Sequence, residues 1–184
     1  MSTLKAYVFL ADGFEEIEAV TPIDILRRAN IDTSIISISD NKLVVGAHGI
    51  SIEADCIFSE ARFEDADALI LPGGLPGTTN LSNHKELEQV ILAHHTSKKL
   101  IAAICAAPSI LGNLGMLDGK EAICYPSFEH QLKGAEVSRN KNVVKSGNII
   151  TAKAAGSSIA FALEIVRSLQ NDELSSKIGE AIFI

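Results

Sequence analysis

Cysteine is scarce in this chain of 184 residues. The three cysteines, Cys56, Cys105 and Cys124, lie far apart, form no C-x-x-C pair and are odd in number. This spacing excludes a disulfide framework and a zinc site built from paired cysteines. We therefore expect reduced thiols, each with a role of its own.

Basic clusters and long apolar runs are also missing. Lys and Arg number 16 against 23 Asp and Glu, which gives a formal charge of -7 and a pI near 5.2. Nucleic-acid binding rests on clustered Lys and Arg that neutralise phosphates, so none is expected here. The first apolar run, residues 4–10, is shorter than a signal-peptide core or a membrane span. We expect a cytoplasmic protein without membrane association.

What the chain does have is enough apolar residues, 47% of the total, to fill the core of a single domain over residues 1–184. Strand-length apolar runs alternate with helical patterns, which predicts a mostly parallel sheet in a three-layer α/β/α sandwich. The predicted strands are residues 4–10, 33–38, 68–71, 100–104 and 149–151. The predicted helices are residues 15–29, 83–96, 106–114 and 157–169, and residues 43–54 predict a hairpin.

Ligands of such open sheets bind beyond the carboxyl ends of the strands. Three chemistry-bearing segments follow predicted strands: residues 11–16, residues 72–77 and Cys105. We expect them to converge on one pocket, provided that the three strands are neighbours.

Cys105 stands between a buried strand and a helical pattern. Ala103 and Ala107 flank it in the small-x-nucleophile-x-small spacing of a strained strand-to-helix turn. The start of a helix carries partial positive charge, which lowers the pKa of a thiol. The alternative is a small buried apolar residue, and the pattern by itself leaves both interpretations open.

Two further features accompany this thiol. Gly73 and Gly74, between prolines, can expose backbone amides to an anion, although an ordinary turn is the commoner meaning. Of the carboxylates that open the first helix, Glu15 and Glu16 are expected to be solvated. Glu18 adjoins apolar residues, so we expect it to point inward and remain protonated.

The histidines show no metal-ligand spacing, and no metal site is predicted. His84, His94 and His95 fall in one polar helix and are expected to be exposed. His48 lies in the predicted hairpin, and His130 lies in a loop.

Three stretches together resemble the ThiJ/PfpI superfamily, within it the branch of the Parkinsonism-associated deglycase: ADGFEEIE at 11–18, LPGG at 71–74 and AAICAAP at 102–108. The similarity runs nearly end to end. It implies a flavodoxin-like homodimer with the fold of class I glutamine amidotransferases, and it implies no metal or organic cofactor.

The resemblance also implies roles for individual residues. Cys105 is the nucleophile and accepts a hydrogen bond from protonated Glu18, while the amides of Gly74 and Ala106 form the oxyanion site. Arg28 corresponds to an arginine on the interface side. The remaining pocket or interface positions are Glu15, Gly73 and Tyr125.

Departures from the family pattern bear on which reaction we expect this chain to catalyse. Tyr125-Pro126 replaces a His-Pro pair, and a phenol is a poor base near neutrality, which makes a peptidase or amidase unlikely. Residues 153–156, Lys-Ala-Ala-Gly, replace a Gly-Pro-Gly loop, and His48 stands near an anion-contacting arginine of some relatives.

The leading hypothesis is a cofactor-independent enzyme, a glyoxalase or deglycase, that acts on a small aldehyde or dicarbonyl such as methylglyoxal. Such chemistry needs a thiolate and one carboxyl that shuttles a proton. The competing hypothesis is a redox-sensing stress protein or holdase chaperone in which Cys105 is oxidised to the sulfinate.

Overall fold

The computed structural model describes residues 3–184. Over this range the chain forms eleven strands: β1 (Lys5–Leu10), β2 (Asp32–Ser37), β3 (Leu43–Val45), β4 (Ser51–Glu53), β5 (Cys56–Ile57), β6 (Ala68–Leu71), β7 (Leu100–Ile104), β8 (Glu121–Ala122), β9 (Glu136–Val137), β10 (Val143–Ser146) and β11 (Ile149–Ala152). The five strands predicted from apolar runs are confirmed to within one residue at each end.

Seven of these strands form the central sheet, in the order β10-β11-β7-β6-β1-β2-β5. All neighbours are parallel except β10 and β11. The parallel strands β2-β1-β6-β7-β11 follow the order 2-1-3-4-5 of flavodoxin-like sheets. The predicted flavodoxin-like, mostly parallel sheet is confirmed, and its topological switch point lies between β1 and β6.

Helices cover both faces of the sheet. They are α1 (Glu16–Arg28), α2 (Gly77–Asn83), α3 (Lys85–Thr96), α4 (Pro108–Asn113), α5 (Ser158–Leu169) and α6 (Asp172–Ala181). Helices α1, α5 and α6 pack their buried apolar side chains against one face of the sheet, and α2, α3 and α4 pack theirs against the other face. No helix within residues 3–184 combines the length and the apolar character that a membrane crossing requires.

The predicted helix bounds agree best with the structure at α1 and α5, where the apolar stripe is long. The predicted helix 83–96 is confirmed as α3, which begins two residues later because the Nδ1 of His84 accepts the Leu87 N–H over 3.1 Å as its cap. Helix α2, which directly precedes it, was not predicted. Helix α6 was not predicted, since only Ser175, Ile178 and Gly179 of its residues are buried.

The predicted hairpin is confirmed as the antiparallel pair β3 and β4. It docks on the loop that follows β1: the Gly13 N–H donates to the Val45 carbonyl over 2.8 Å, and the Val45 N–H donates to Asp12 Oδ1 over 2.8 Å. The Ala47 N–H also donates to the Phe14 carbonyl over 2.8 Å. These bonds fix the first of the three loops expected at the pocket.

Candidate active site

The three loops meet at the carboxyl edge of β1, β6 and β7, which are neighbours in the sheet. The Glu15 N–H donates to the Gly73 carbonyl over 3.0 Å, and the Gly73 N–H donates to Glu18 Oε2 over 2.9 Å. A methyl group built on Gly73 would lie 2.6 Å from Cys105 Cβ. The predicted convergence on one pocket is therefore confirmed, and Gly73 is its centre.

Cys105 occupies the strained turn that its neighbours predicted. Its φ is +64°, a left-handed conformation that is costly for a residue with a side chain. The Cys105 N–H donates to the Ala152 carbonyl over 3.0 Å, and the Tyr125 N–H donates to the Cys105 carbonyl over 2.7 Å. Backbone bonds on both sides hold the strained residue in place and leave its thiol half-buried.

Glu18 is fully buried, at 0% exposure, and points inward as predicted. Its Oε2 accepts the Gly73 amide, whereas Oε1 has no hydrogen-bond partner of good geometry among residues 3–184. The Cys105 thiol lies within hydrogen-bonding reach of this carboxyl. An unpartnered buried oxygen is best satisfied when it carries a proton and donates it to the sulfur.

Burial raises the pKa of Glu18 to about 7, with a further rise from the charge of Glu15 that hydrogen bonds from Cys105 and Gly73 oppose. The carboxyl is therefore largely protonated below neutral pH.

The thiol responds to the same surroundings. Burial and then the Glu18 carboxylate, when ionised, raise the pKa of Cys105 to about 12, while contacts with the amides of Gly74 and Ala106 lower it. The prediction that the helix start lowers the thiol pKa is thus wrong beside an ionised Glu18, because burial and the carboxylate outweigh the short helix α4. A thiolate requires that the proton stay on Glu18, so the two groups titrate as a pair.

Two carboxylates differ from their expected exposure. Glu15 caps α1, since its Oε2 accepts the Glu18 N–H over 2.7 Å, and it is half-buried. Glu16 was expected to be solvated but is buried, because the hairpin covers it: Oε1 accepts the His48 N–H over 2.6 Å and Oε2 contacts His48 Nδ1 at 2.7 Å. Although burial opposes it, these bonds lower the pKa of Glu16, and its carboxylate raises the pKa of His48.

Two expectations about histidines are also corrected. Ligand atoms of Glu15, Glu16 and His48 lie within 4.8 Å of one another, so His48 does have company of metal-ligand type, although both carboxylates are already hydrogen-bonded. His94 was expected to be exposed but is only 5% exposed, and burial followed by the charge of Lys99 lowers its pKa to about 4.

Two predicted pocket or interface residues lie differently in the fold. Arg28 ends α1, ten residues or about 15 Å beyond Glu18, and its Nε donates to Asp24 Oδ2 over 2.7 Å. Within one chain the structure does not bring Arg28 to the thiol. Tyr125 is beside Cys105, but its ring is 47% exposed and only its backbone bonds to that residue.

Comparison with known proteins agrees with this fold. The model of the DJ-1/PfpI family matches residues 4–168. The chain belongs to the DJ-1/PfpI family. It is 32% identical to protein dj-1beta of Drosophila melanogaster over 98% of this chain and 97% of that protein, and 28% identical to a protein named a deglycase from Pyrococcus abyssi over 91% and 100%.

Solved structures give the same result. Drosophila melanogaster DJ-1beta superposes with a TM-score of 0.95 at 31% identity, covering 100% of this chain and 99% of that one. Oxidized Toxoplasma gondii DJ-1 gives 0.93 at 35% identity, covering 98% of each chain. The chain spans only 41% and 47% of the two Arabidopsis thaliana DJ-1 homologs, B and A, which it matches at 36% and 33% identity.

A DJ-1/PfpI site centred on Gly73 should not tolerate a side chain there. We expect Gly73→Ala to lower the melting temperature and slow alkylation of Cys105, because its methyl group would lie 2.6 Å from both Cys105 Cβ and Glu18 Oε2. Gly156→Ala is the matched control, since no atom lies within 4 Å of its added methyl. Equal melting temperatures and alkylation rates for the two variants would contradict the packing described.

The thiols of this DJ-1/PfpI chain should differ in reactivity. At about pH 7 iodoacetamide should label Cys105 quickly and spare Cys56 and Cys124, because only the Cys105 sulfur faces two backbone amides, those of Gly74 and Ala106, and a carboxyl that can hold the proton in its place. The Cys105 rate should rise with pH as the coupled pair of Glu18 and Cys105 loses its first proton. Mass spectrometry of labelled peptides across pH measures this, and a rate that rises only near pH 12 would place the charge on Glu18 instead.

Proposed function

We propose that this protein is a cysteine-dependent, cofactor-independent enzyme that converts small dicarbonyls to hydroxy acids, as in the conversion of methylglyoxal to lactate. The observation that carries the proposal is the buried Glu18 carboxyl, with a pKa raised to about 7, beside the Cys105 thiol. A carboxyl poised near neutrality can both donate and accept a proton. The relative named a deglycase supports the same chemical class.

The reaction begins when the thiolate adds to the aldehyde carbon. The carbonyl oxygen becomes an oxyanion, which the amides of Gly74 and Ala106 stabilise, since both already face the sulfur. Glu18 then donates its proton to that oxygen and becomes a carboxylate. The product of this step is a hemithioacetal on Cys105.

The carboxylate of Glu18 next removes the proton from the former aldehyde carbon and returns it to the adjacent carbon. The hydroxyl proton on the former aldehyde carbon passes to the oxygen of the adjacent carbon, and the intermediate is then a thioester of the hydroxy acid. Water attacks the thioester carbonyl and breaks the carbon–sulfur bond, which releases lactate and the thiolate and returns Glu18 to its protonated form. The sum is methylglyoxal plus water to lactate and one proton, which passes to solvent, with no oxidant or reductant.

The test is lactate formation from methylglyoxal by purified protein without glutathione. We expect sustained formation of one lactate enantiomer, because the proton returns to one face of a bound intermediate. In deuterium oxide the new C–H bond should carry deuterium, since the shuttling carboxyl exchanges with solvent. Absence of lactate above the uncatalysed rate would show that the proposed function is wrong.

Redox sensing through Cys105 is the second candidate, since the amides of Gly74 and Ala106 face the sulfur itself and would also bind sulfinate oxygens. Two equivalents of peroxide would each transfer one oxygen to the sulfur and leave as water. Fast sulfinate formation at Cys105 in a protein that makes no lactate would favour this function. Sustained lactate formation would favour the enzyme.

A homodimer is proposed because α1 and the hairpin both expose apolar residues. Hydrogen bonds from the hairpin to Glu16 hold these two elements together. These residues are Ile17, Val20, Leu43, Val45 and Ile50, between 43% and 59% exposed. An apolar surface of this kind marks an interface. A small aldehyde or dicarbonyl and a second copy of the chain are thus the proposed partners, in the cytoplasm.

We expect Val20→Glu to convert the dimer to a monomer, because it buries an unpaired carboxylate in the proposed interface. Sedimentation at micromolar concentration measures the mass. Leu92→Glu on α3, in the opposite layer, is the control and should leave the dimer intact. A monomeric mass for the wild type would overturn the proposed dimer.

A further inference from the structure

A cleft of about 570 Å³ adjoins the candidate site. Two of its lining residues directly follow residues that are hydrogen-bonded to the backbone of Cys105. Pro126 lines the cleft and follows Tyr125, whose N–H donates to the Cys105 carbonyl over 2.7 Å. Lys153 also lines the cleft and follows Ala152, whose carbonyl accepts the Cys105 N–H over 3.0 Å. The cleft is therefore an extension of the pocket edge and not a remote cavity.

Sheet register places the backbone of Lys153 beside that of Cys105. Ala152 of β11 pairs with Ile104 of β7, so Lys153 and Cys105 are the next residues of two adjacent parallel strands. Adjacent strands lie about 4.8 Å apart. A lysine at this position is within reach of a substrate held by Cys105, and it belongs to the Lys-Ala-Ala-Gly segment that departs from the family's Gly-Pro-Gly loop.

The charge of the cleft is opposite to that of the chain. His130, Arg139 and Lys153 line it against a single acidic residue, Glu129, although the chain as a whole carries -7. Among residues 3–184, neither Arg139 nor Lys153 has a carboxylate within 4.0 Å. Lys153 is also half-buried. Unpaired cations in a cleft attract an anion more strongly than they would on an open surface.

We propose that this cleft binds an anionic group, a carboxylate or a phosphate monoester, carried by the substrate whose aldehyde reacts with Cys105. The inference rests on the proposed function and names its substrate class: 2-oxoaldehydes with an acidic group a few bonds from the carbonyls. Arg139 offers a fork that fits carboxylate and phosphate oxygens, and Lys153 offers a point charge. Methylglyoxal has no group for either residue and leaves the cleft unused.

The experiment compares kcat/KM for methylglyoxal, 4,5-dioxopentanoate and hydroxypyruvaldehyde phosphate. We expect the wild type to prefer at least one anionic substrate by about tenfold or more. Lys153→Gln and Arg139→Gln should each remove about tenfold of that preference and leave methylglyoxal within about twofold. Glu129→Gln should increase the preference. Lys145→Gln is the control and should change nothing, because Lys145 lies on β10 near the amino ends of the parallel strands, away from the cleft.

Further arms separate the possible failures. Comparable turnover of all three substrates, unchanged in Lys153→Gln, overturns the anion site and leaves the proposed function in place. Absence of turnover with any substrate overturns both. Inorganic phosphate alone should compete with the anionic substrates and spare methylglyoxal. If phosphate inhibits methylglyoxal turnover while anionic substrates show no preference, the cleft binds free phosphate, and the substrate assignment is wrong.

Discussion

Cys105→Ser should lose at least about 10³-fold in methylglyoxal turnover while its melting temperature stays near that of the wild type. The substitution keeps the size of the side chain, so the strained turn with φ of +64° and its two backbone bonds are retained. A serine hydroxyl ionises far less readily than a thiol. In the starting state of the proposed mechanism Glu18 is protonated, so it cannot act as the base that would activate the hydroxyl.

The other two cysteines supply the controls. Cys56→Ser and Cys124→Ser should keep turnover within a few-fold, because neither thiol contacts Glu18, Gly74 or Ala106 in the described structure. Lactate production and thermal denaturation are measured on the same preparations. If Cys105→Ser keeps more than about a tenth of the activity while remaining folded, the thiol is not the nucleophile.

Glu18→Gln and Glu18→Leu should both lower turnover by about 10²- to 10⁴-fold, because each removes the proton carrier. They should differ in their effect on the thiol. The Gln amide still donates a hydrogen bond to the sulfur, whereas Leu offers only an apolar contact, which disfavours the thiolate. The pKa of Cys105 should therefore be higher in Glu18→Leu than in Glu18→Gln, by about one unit or roughly 1.4 kcal/mol.

The thiolate is titrated by its ultraviolet absorbance, with alkylation rates as a second measure. Glu180→Gln, an exposed carboxylate on α6, is the control for a general loss of charge. If Glu18→Leu instead lowers the pKa of Cys105 below that of the wild type, Glu18 is ionised beside the thiol in the wild type. The proton could not then start on the carboxyl, and the proposed mechanism would be wrong.

Glu18 should also change how the free energy of unfolding depends on pH. Burial raises the pKa of its folded form to about 7, above the ordinary value of 4.5, so the folded state binds more protons than the unfolded state between these values. The free energy of unfolding of the wild type should therefore fall, relative to Glu18→Gln, as pH rises through this window.

The site could be predicted largely because its signals are local. Small residues on both sides of Cys105 allow the strained turn, and the apolar neighbours of Glu18 turn that carboxyl inward. Continuous apolar runs such as β7, which is buried throughout, can only be strands covered on both faces. These features depend on a few consecutive residues, so spacing is enough to find them.

Other features depend on distant segments, and spacing could not find them. Glu16 is buried because His48, 32 residues away, covers it. His94 is buried at the start of β7, and the anion cleft brings Lys153 beside residues 123–139. No local pattern marks such pairs, since the contacts exist only after the sheet has ordered its strands.

The sequence alone determined the fold class and the loops at the switch point, since both follow from local composition and period, and it marked Cys105 and Glu18 as candidates whose roles the family resemblance supplied. Only the tertiary structure decided how these groups hold their protons. Burial from all sides and the approach of Glu18 to Cys105 set their pKa values, and at the thiol they outweigh the lowering of the pKa by the amides at the helix start. The reason is that desolvation and charge act through space and sum over the whole surrounding fold, whereas a sequence pattern describes only neighbours along the chain.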